Sequence, residues 1–200
     1  MGATLDVISR GRLILGIGAG WNSDEFTASG QSLDDRHEQT DEFLLLLKEL
    51  WTADQPEFTG KYFWVPPSIF LPKPLQKPHP PIWIGGNSKR AIRRAAELGD
   101  GWHPTSRIGA SALAKEIKYI RESAANAGRD PEAITLSVRW NASRSLTRGF
   151  VVEDIVRTLD EYRESGVEHV CFDLNLPQPS SVAEMLETMQ RLALEVIPRI

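Results

Sequence analysis

Ile82-Trp83-Ile84-Gly85-Gly86-Asn87-Ser88-Lys89-Arg90-Ala91-Ile92-Arg93-Arg94-Ala95-Ala96-Glu97-Leu98-Gly99-Asp100-Gly101-Trp102-His103-Pro104 is the stretch that decides the fold. Ile82-Trp83-Ile84 is a short apolar run ended by two glycines, as expected of a strand. Ser88–Leu98 has helical period, with Ile92, Ala95 and Ala96 inward and Gly99 as its stop. Trp102 follows in a second brief strand. Strand, helix and strand in so few residues predict a parallel βαβ unit.

Working outward, the same pattern recurs. Leu13–Ile17 is a continuous apolar run bounded by glycine, predicted to be a strand buried on both faces. Asp34–Ala53 reads as a helix, with Phe43, Leu46, Leu47 and Leu50 on one stripe. Ala110–Ala127 is a helix with Leu113, Ile117, Ile120 and Ala124 inward. Ile134–Trp140 alternates as a strand. Val152–Ser165 is a helix, Val167–Leu174 a strand and Val182–Val196 the last helix. Helix, glycine, then strand repeats at Gly99, Gly128 and Gly166. The pattern predicts an α/β chain of about five βα units, barrel-like but incomplete, forming one domain over residues 1–200. Thr4–Ser9 reads as the tail of a helix stopped at Gly11, so further elements are expected before it.

Residues 54–81 interrupt the rhythm. Eight of the 13 prolines lie there, which forbids a central strand. A hairpin over Glu57–Val65 is expected, within an insertion that packs on the barrel wall or contacts another copy.

Composition narrows function. With 23 Lys and Arg against 27 Asp and Glu, the formal charge is −4, which suits neither nucleic acid nor an anionic membrane surface. The apolar run Phe43–Leu47 is far shorter than the ~20 residues of a membrane span. Cys171 is the one cysteine, so no internal disulfide forms, and a cytoplasmic location is expected. A two-histidine zinc motif, a paired Cys-x-x-Cys, a G-x-S-x-G elbow and a P-loop are all absent.

Three motifs could carry chemistry. Gly16-Ile17-Gly18-Ala19-Gly20-Trp21-Asn22 ends the first strand and is either a ligand-hugging loop or merely a tight turn. Gly85-Gly86-Asn87-Ser88 places backbone N–H groups at a helix start, with Lys89 and Arg90 adjacent; this suits a phosphate, and Ser88 can also simply cap. Asp100-Gly101-Trp102-His103-Pro104 ends the next strand; His103 is a proton donor, a cofactor contact or a structural hydrogen-bonder. Trp102 either stacks on a ring or fills the core. Arg139-Trp140-Asn141 and Asp173-Leu174-Asn175 end the last two strands and could line a pocket or serve as scaffolding. His37, His79 and His169 are scattered in the sequence.

Together these runs resemble the luciferase-like monooxygenase family, most closely its branch using the deazaflavin coenzyme F420. The resemblance rests on Gly11–Asn22 with Glu25-Phe26, on Leu71–Ser88 and on Ala95–Pro104. It implies a (β/α)₈ barrel fold with an insertion, holding coenzyme F420 or, alternatively, FMN at its C-terminal mouth, and hydride transfer to or from a small organic substrate. Ala19, Gly20 and Asn22 would lie against the ring system or ribityl chain. Gly85, Gly86, Asn87 and Ser88 would meet the phosphate-bearing tail, with Trp102 and His103 nearby. In the family three βα units precede the run Thr4–Gly11, so this chain corresponds to five strands of eight. Both sheet edges are then open, and a second copy or a partner chain is expected to cover them.

Overall fold

The computed structural model describes residues 1–104, 110–141, 150–174 and 181–200. In chain order the elements are α1 (Gly2–Ile8), β1 (Leu15–Ile17), α2 (Ser23–Ala28), α3 (Arg36–Thr52), β2 (Phe58–Thr59), β3 (Trp64–Val65), β4 (Ile82–Gly85), α4 (Lys89–Leu98), β5 (Gly101–His103), α5 (Ala110–Asn126), β6 (Thr135–Asn141), α6 (Val152–Glu164), β7 (His169–Asp173) and α7 (Val182–Arg191). β1, β4, β5, β6 and β7 form one sheet in that order, and every neighbouring pair is parallel. The sheet is a curled half-barrel with helices on its convex side.

Period-two alternation decides which side chains meet the helices. Ile82 and Ile84 of β4, Trp102 of β5, and Leu136, Val138 and Trp140 of β6 all turn outward and are buried. Against them pack Ile92, Ala95 and Ala96 of α4, Leu113, Ile117, Ile120 and Ala124 of α5, and Ile155, Leu159 and Tyr162 of α6. The apolar layer therefore lies between sheet and helices and leaves the concave face for other work.

Several sequence expectations change in detail. β1 is not buried on both faces: Leu15 and Ile17 pack on the core, while Ile14 is 44% exposed and Gly16 is also exposed. The buried face of α3 carries Leu44, Leu46 and Trp51, whereas Phe43 turns away toward Phe63 of the insertion, ring centroids 5.9 Å apart. A short helix, α2, follows the first glycine loop and was not foreseen. The last helix is α-helical only to Arg191 and continues as a π turn over Leu192–Val196. Gly99 ends α4 in an extended conformation (φ −92°), not the left-handed one of a glycine cap. A Cβ there would sit 2.9 Å from Ile84 Cγ1, so close helix–strand packing is what requires glycine.

The proline-rich segment is held down at three points. Its hairpin pairs Phe58 with Val65 and Thr59 with Trp64. The Glu42 carboxylate of α3 accepts the backbone N–H groups of Lys61, Tyr62 and Phe63 at 2.9, 2.8 and 2.7 Å. Lys73 donates to the carbonyls of Leu50 and Ala53 at the end of α3. Gln76 donates its backbone and side-chain N–H groups to the buried carboxylate of Asp6. Burial pushes the Asp6 carboxyl up, but the hydrogen bonds of Gln76, with those of Leu75 and Leu13, outweigh it and hold it below the ordinary range.

Candidate functional site

The same alternation that sends Ile82, Ile84 and Trp102 outward sends their neighbours inward. Ile14, Gly16 and Gly18 from the β1 strand and its exit, Trp83 and Gly85 from β4, His103 from β5, and His169 and Cys171 from β7 line a concave cavity of about 500 Å³. Glycine dominates one wall, so backbone is exposed there. On the opposite wall stand two imidazoles and a thiol. Trp83 spans the two: its indole stacks on His103 (6.4 Å, 22°) and meets His169 edge-on (4.9 Å, 73°).

The histidines are joined. His103 Nδ1 lies 2.8 Å from Ser137 Oγ, and the same oxygen lies 2.9 Å from His169 Nδ1. Register explains this, because Ser137 faces His169 directly across β6 and β7. Ser137 is 1% exposed. Burial, then the charges of His169 and Arg139, hold His103 below the ordinary histidine range, so its ring is neutral near pH 7. One step further along the strands, Arg139 pairs with Asp173 at 2.7 Å.

The residues nominated from sequence fall into three groups. Ala19 sits at the strand exit and lines a second cavity, about 420 Å³, with Phe26, Arg36 and Phe43. Gly20 has φ 78°, with the Phe26 ring where a Cβ would go. Asn22 caps α2, accepting the Asp24 N–H at 3.0 Å and donating to Glu25 at 3.1 Å. Gly85, Gly86, Asn87 and Ser88 form the turn into α4. Gly86 has φ 121°, a conformation that disfavours side chains, and Ser88 Oγ accepts the Ala91 N–H at 3.1 Å. Lys89 and Arg90 are directed elsewhere: Lys89 pairs with Glu116 at 2.8 Å and Arg90 with Glu38 at 2.6 Å.

His103 and Trp102 part company. His103 faces the cavity. Trp102 is fully buried on the convex side, and its indole N–H donates to the Gly86 carbonyl at 2.9 Å. It underpins the Gly85–Ser88 turn rather than lining the cavity. Asp100 works at the other end of the sheet, where its carboxylate accepts the Ile82 N–H at 2.9 Å. Arg139 faces the cavity side and Trp140 the core. Asn175 lies outside the described residues.

Trp83, Ser137, His169 and Cys171 escaped the sequence reading. Strict alternation along Ile134–Trp140 and Val167–Leu174 was the signal that could have placed Ser137, His169 and Cys171 on one face. What sequence alone does not give is the register that sets Ser137 between two histidines. Among the described residues no group of three His, Cys, Asp or Glu is arranged to hold a metal, and no helix is long and apolar enough to cross a membrane.

A curled sheet of parallel strands with helices on its convex side is the half-barrel arrangement of the (β/α)₈ fold. The luciferase-like monooxygenase family model matches residues 1–169, and the chain belongs to that family. An FMNH2-dependent dimethylsulfone monooxygenase of Pseudomonas putida is 34% identical over 129 residues, 63% of this chain and 35% of that protein. A monooxygenase from Streptomyces bottropensis superposes with a TM-score of 0.73 at 25% identity, covering 98% of this chain and 71% of its own. An F420-dependent secondary alcohol dehydrogenase has the same fold, with a TM-score of 0.73 at 21% identity, covering 88% of this chain and 68% of its own. The chain spans half or less of the length of the curated relatives it matches.

Proposed function

We propose that this chain is a flavin- or deazaflavin-dependent oxidoreductase, with coenzyme F420 as cofactor and FMN as the alternative, acting on a small organic substrate. The observation that carries the reading is the cavity on the concave face of the sheet, walled by glycine backbone and Trp83 and reaching Gly85, where the turn into α4 begins. The glycines fit a flat ligand and its phosphate. Gly86, at φ 121° and with a Cβ that would lie 3.2 Å from Ala91, leaves the backbone of the turn bare on the side a phosphate would approach. The names of two relatives, one FMNH2-dependent and one F420-dependent, support the cofactor class.

In this reading Gly85, Gly86, Asn87 and Ser88 hold the phosphate-bearing tail, and Ala19 and Gly20 lie near the ring system. Asn22 shapes that approach through its cap on α2. Trp102 holds the Gly86 carbonyl, and with it the turn, in place. His103 and Trp83 wall the reacting side. Bound cofactor supplies the hydride chemistry; the protein supplies orientation and a partly dry pocket. Residues 1–200 act as one domain, with 54–81 as an insertion, in the cytoplasm.

A second reading has its own observation. The outer edges of β1 and β7 pair with no strand among the described residues, which suits a cofactor-binding or assembly partner of another copy or chain. Titrating the chain with each cofactor and following fluorescence tests the first reading. Saturable binding, tighter for coenzyme F420, is expected; no saturable binding of either cofactor contradicts it. Binding without turnover supports the second.

A further inference from the structure

We infer that His103, Ser137 and His169 form a proton relay in which His169 gives or takes the proton that accompanies hydride transfer to or from a carbonyl-class substrate. The inference rests on the oxidoreductase reading for its role, but its geometry stands apart from it. Ser137 has one hydroxyl proton and two imidazole neighbours, each approaching through Nδ1, at 2.8 and 2.9 Å. Its 1% exposure gives that proton no bulk water to turn to. The hydroxyl therefore donates to one Nδ1, so that ring carries its own proton on Nε2. The other ring donates Nδ1–H to the serine oxygen, so its Nε2 is a lone pair. The two rings are held in opposite tautomers and offer an acid and a base to one cavity.

Surroundings set the polarity. His169 is exposed and His103 is half-buried. The Trp83 indole lies beside both rings, stacked on His103 and edge-on to His169. Arg139, from β6, opposes a positive charge on the His103 ring, and Asp173, from β7, pairs with that arginine. Cys171 is the remaining titratable group on this wall; β1 and β4 present Ile14, Gly16, Gly18, Trp83 and Gly85, none of them charged. His103 and Ser137 are therefore positioning residues, and His169 is the group that meets substrate oxygen.

Bound reduced cofactor would supply the hydride, its own bond to that hydrogen breaking and the cofactor becoming oxidised, while the C=O π bond of the substrate breaks. The oxygen takes the proton from His169 Nε2. His169 Nδ1 takes the serine proton, Ser137 Oγ takes the Nδ1 proton of His103, and His103 Nε2 takes up the one proton (H⁺) that the overall reduction consumes from solvent. One C–H and one O–H bond form, both rings exchange tautomers, and the chain's charge is unchanged.

The test is ¹⁵N-histidine NMR of the chain, read for tautomer, with and without Ser137→Ala. Opposite tautomers for His103 and His169 are expected, and loss of that opposition in Ser137→Ala. Matching tautomers in the unaltered chain overturn the relay. Reduction of a small ketone by the F420-loaded chain then tests the role. His169→Gln should lower kcat about 100-fold, alter its pH profile and leave KM within about twofold, with cofactor fluorescence titration unchanged. Unchanged kcat and pH profile overturn the role of His169. Failure of the unaltered chain to bind either cofactor overturns the oxidoreductase reading and the relay's role with it, while the tautomer result stands on its own.

Discussion

Trp102 has two neighbours that matter, the convex core and the Gly86 carbonyl. Replacing it with phenylalanine keeps an aromatic ring in the core but leaves that carbonyl without its indole donor. Loss of a part-buried hydrogen bond costs about 1 kcal/mol, so the urea midpoint of Trp102→Phe should fall correspondingly, and a midpoint equal to the parent's would show that the bond contributes nothing. His103 makes a pH prediction. Its folded-state pKa is depressed, first by burial and then by His169 and Arg139; that of His37 is depressed by burial and by Arg36, Arg90 and Arg94. As pH falls below about 6.5, the unfolded chain takes up these protons before the folded one does, so stability present at neutral pH is lost on acidification. Urea unfolding at about pH 7.5 and about pH 5.5 should show the lower midpoint in acid; a higher one there would contradict these environments. At this scale sequence and structure agree unevenly. Gly86 announced itself, because two glycines before a helix imply an unusual backbone. His169 did not, because nothing in its own neighbours places it beside His103; that depends on pairing across two strands.

The elements were largely legible because each carries its own period. Stripes such as Leu113, Ile117, Ile120 and Ala124 have a single explanation, an amphipathic helix on a core. α3 was harder. Its run of four consecutive leucines permits more than one face, and tertiary packing chose Leu44 and Trp51 over Phe43. Charge also fixes that choice. Arg94 of α4 is 3% exposed, bonds the Asp41 carboxylate of α3, and donates to the His37 carbonyl at 3.0 Å. Asp41→Asn would leave a buried guanidinium without its counter-charge, a loss of about 3 kcal/mol on the scale of broken buried pairs. Thermal unfolding should register it as a clear drop; a change within error would mean that solvent around the half-exposed Asp41 already screens the pair.

At the scale of the whole molecule, one sheet divides its labour by face. The convex side is apolar and holds the chain together; the concave side carries glycine backbone, Trp83, the two histidines and Cys171. Alternation alone made that division readable in outline, and the parallel order followed from strand–helix–strand repetition. Curvature, register and the meeting of β5, β6 and β7 side chains were not readable, since they arise only when all five strands pair. In the proposed function the strand-exit end, with its two glycine turns, receives the cofactor. Amide NMR of the ¹⁵N-labelled chain during titration with coenzyme F420 tests it most directly. Signals of Gly16–Gly20 and Gly85–Ser88 should move together and saturate, while those of Asp100 and Arg129 at the opposite end stay still. Movement confined to that opposite end, or no movement anywhere, would contradict the account.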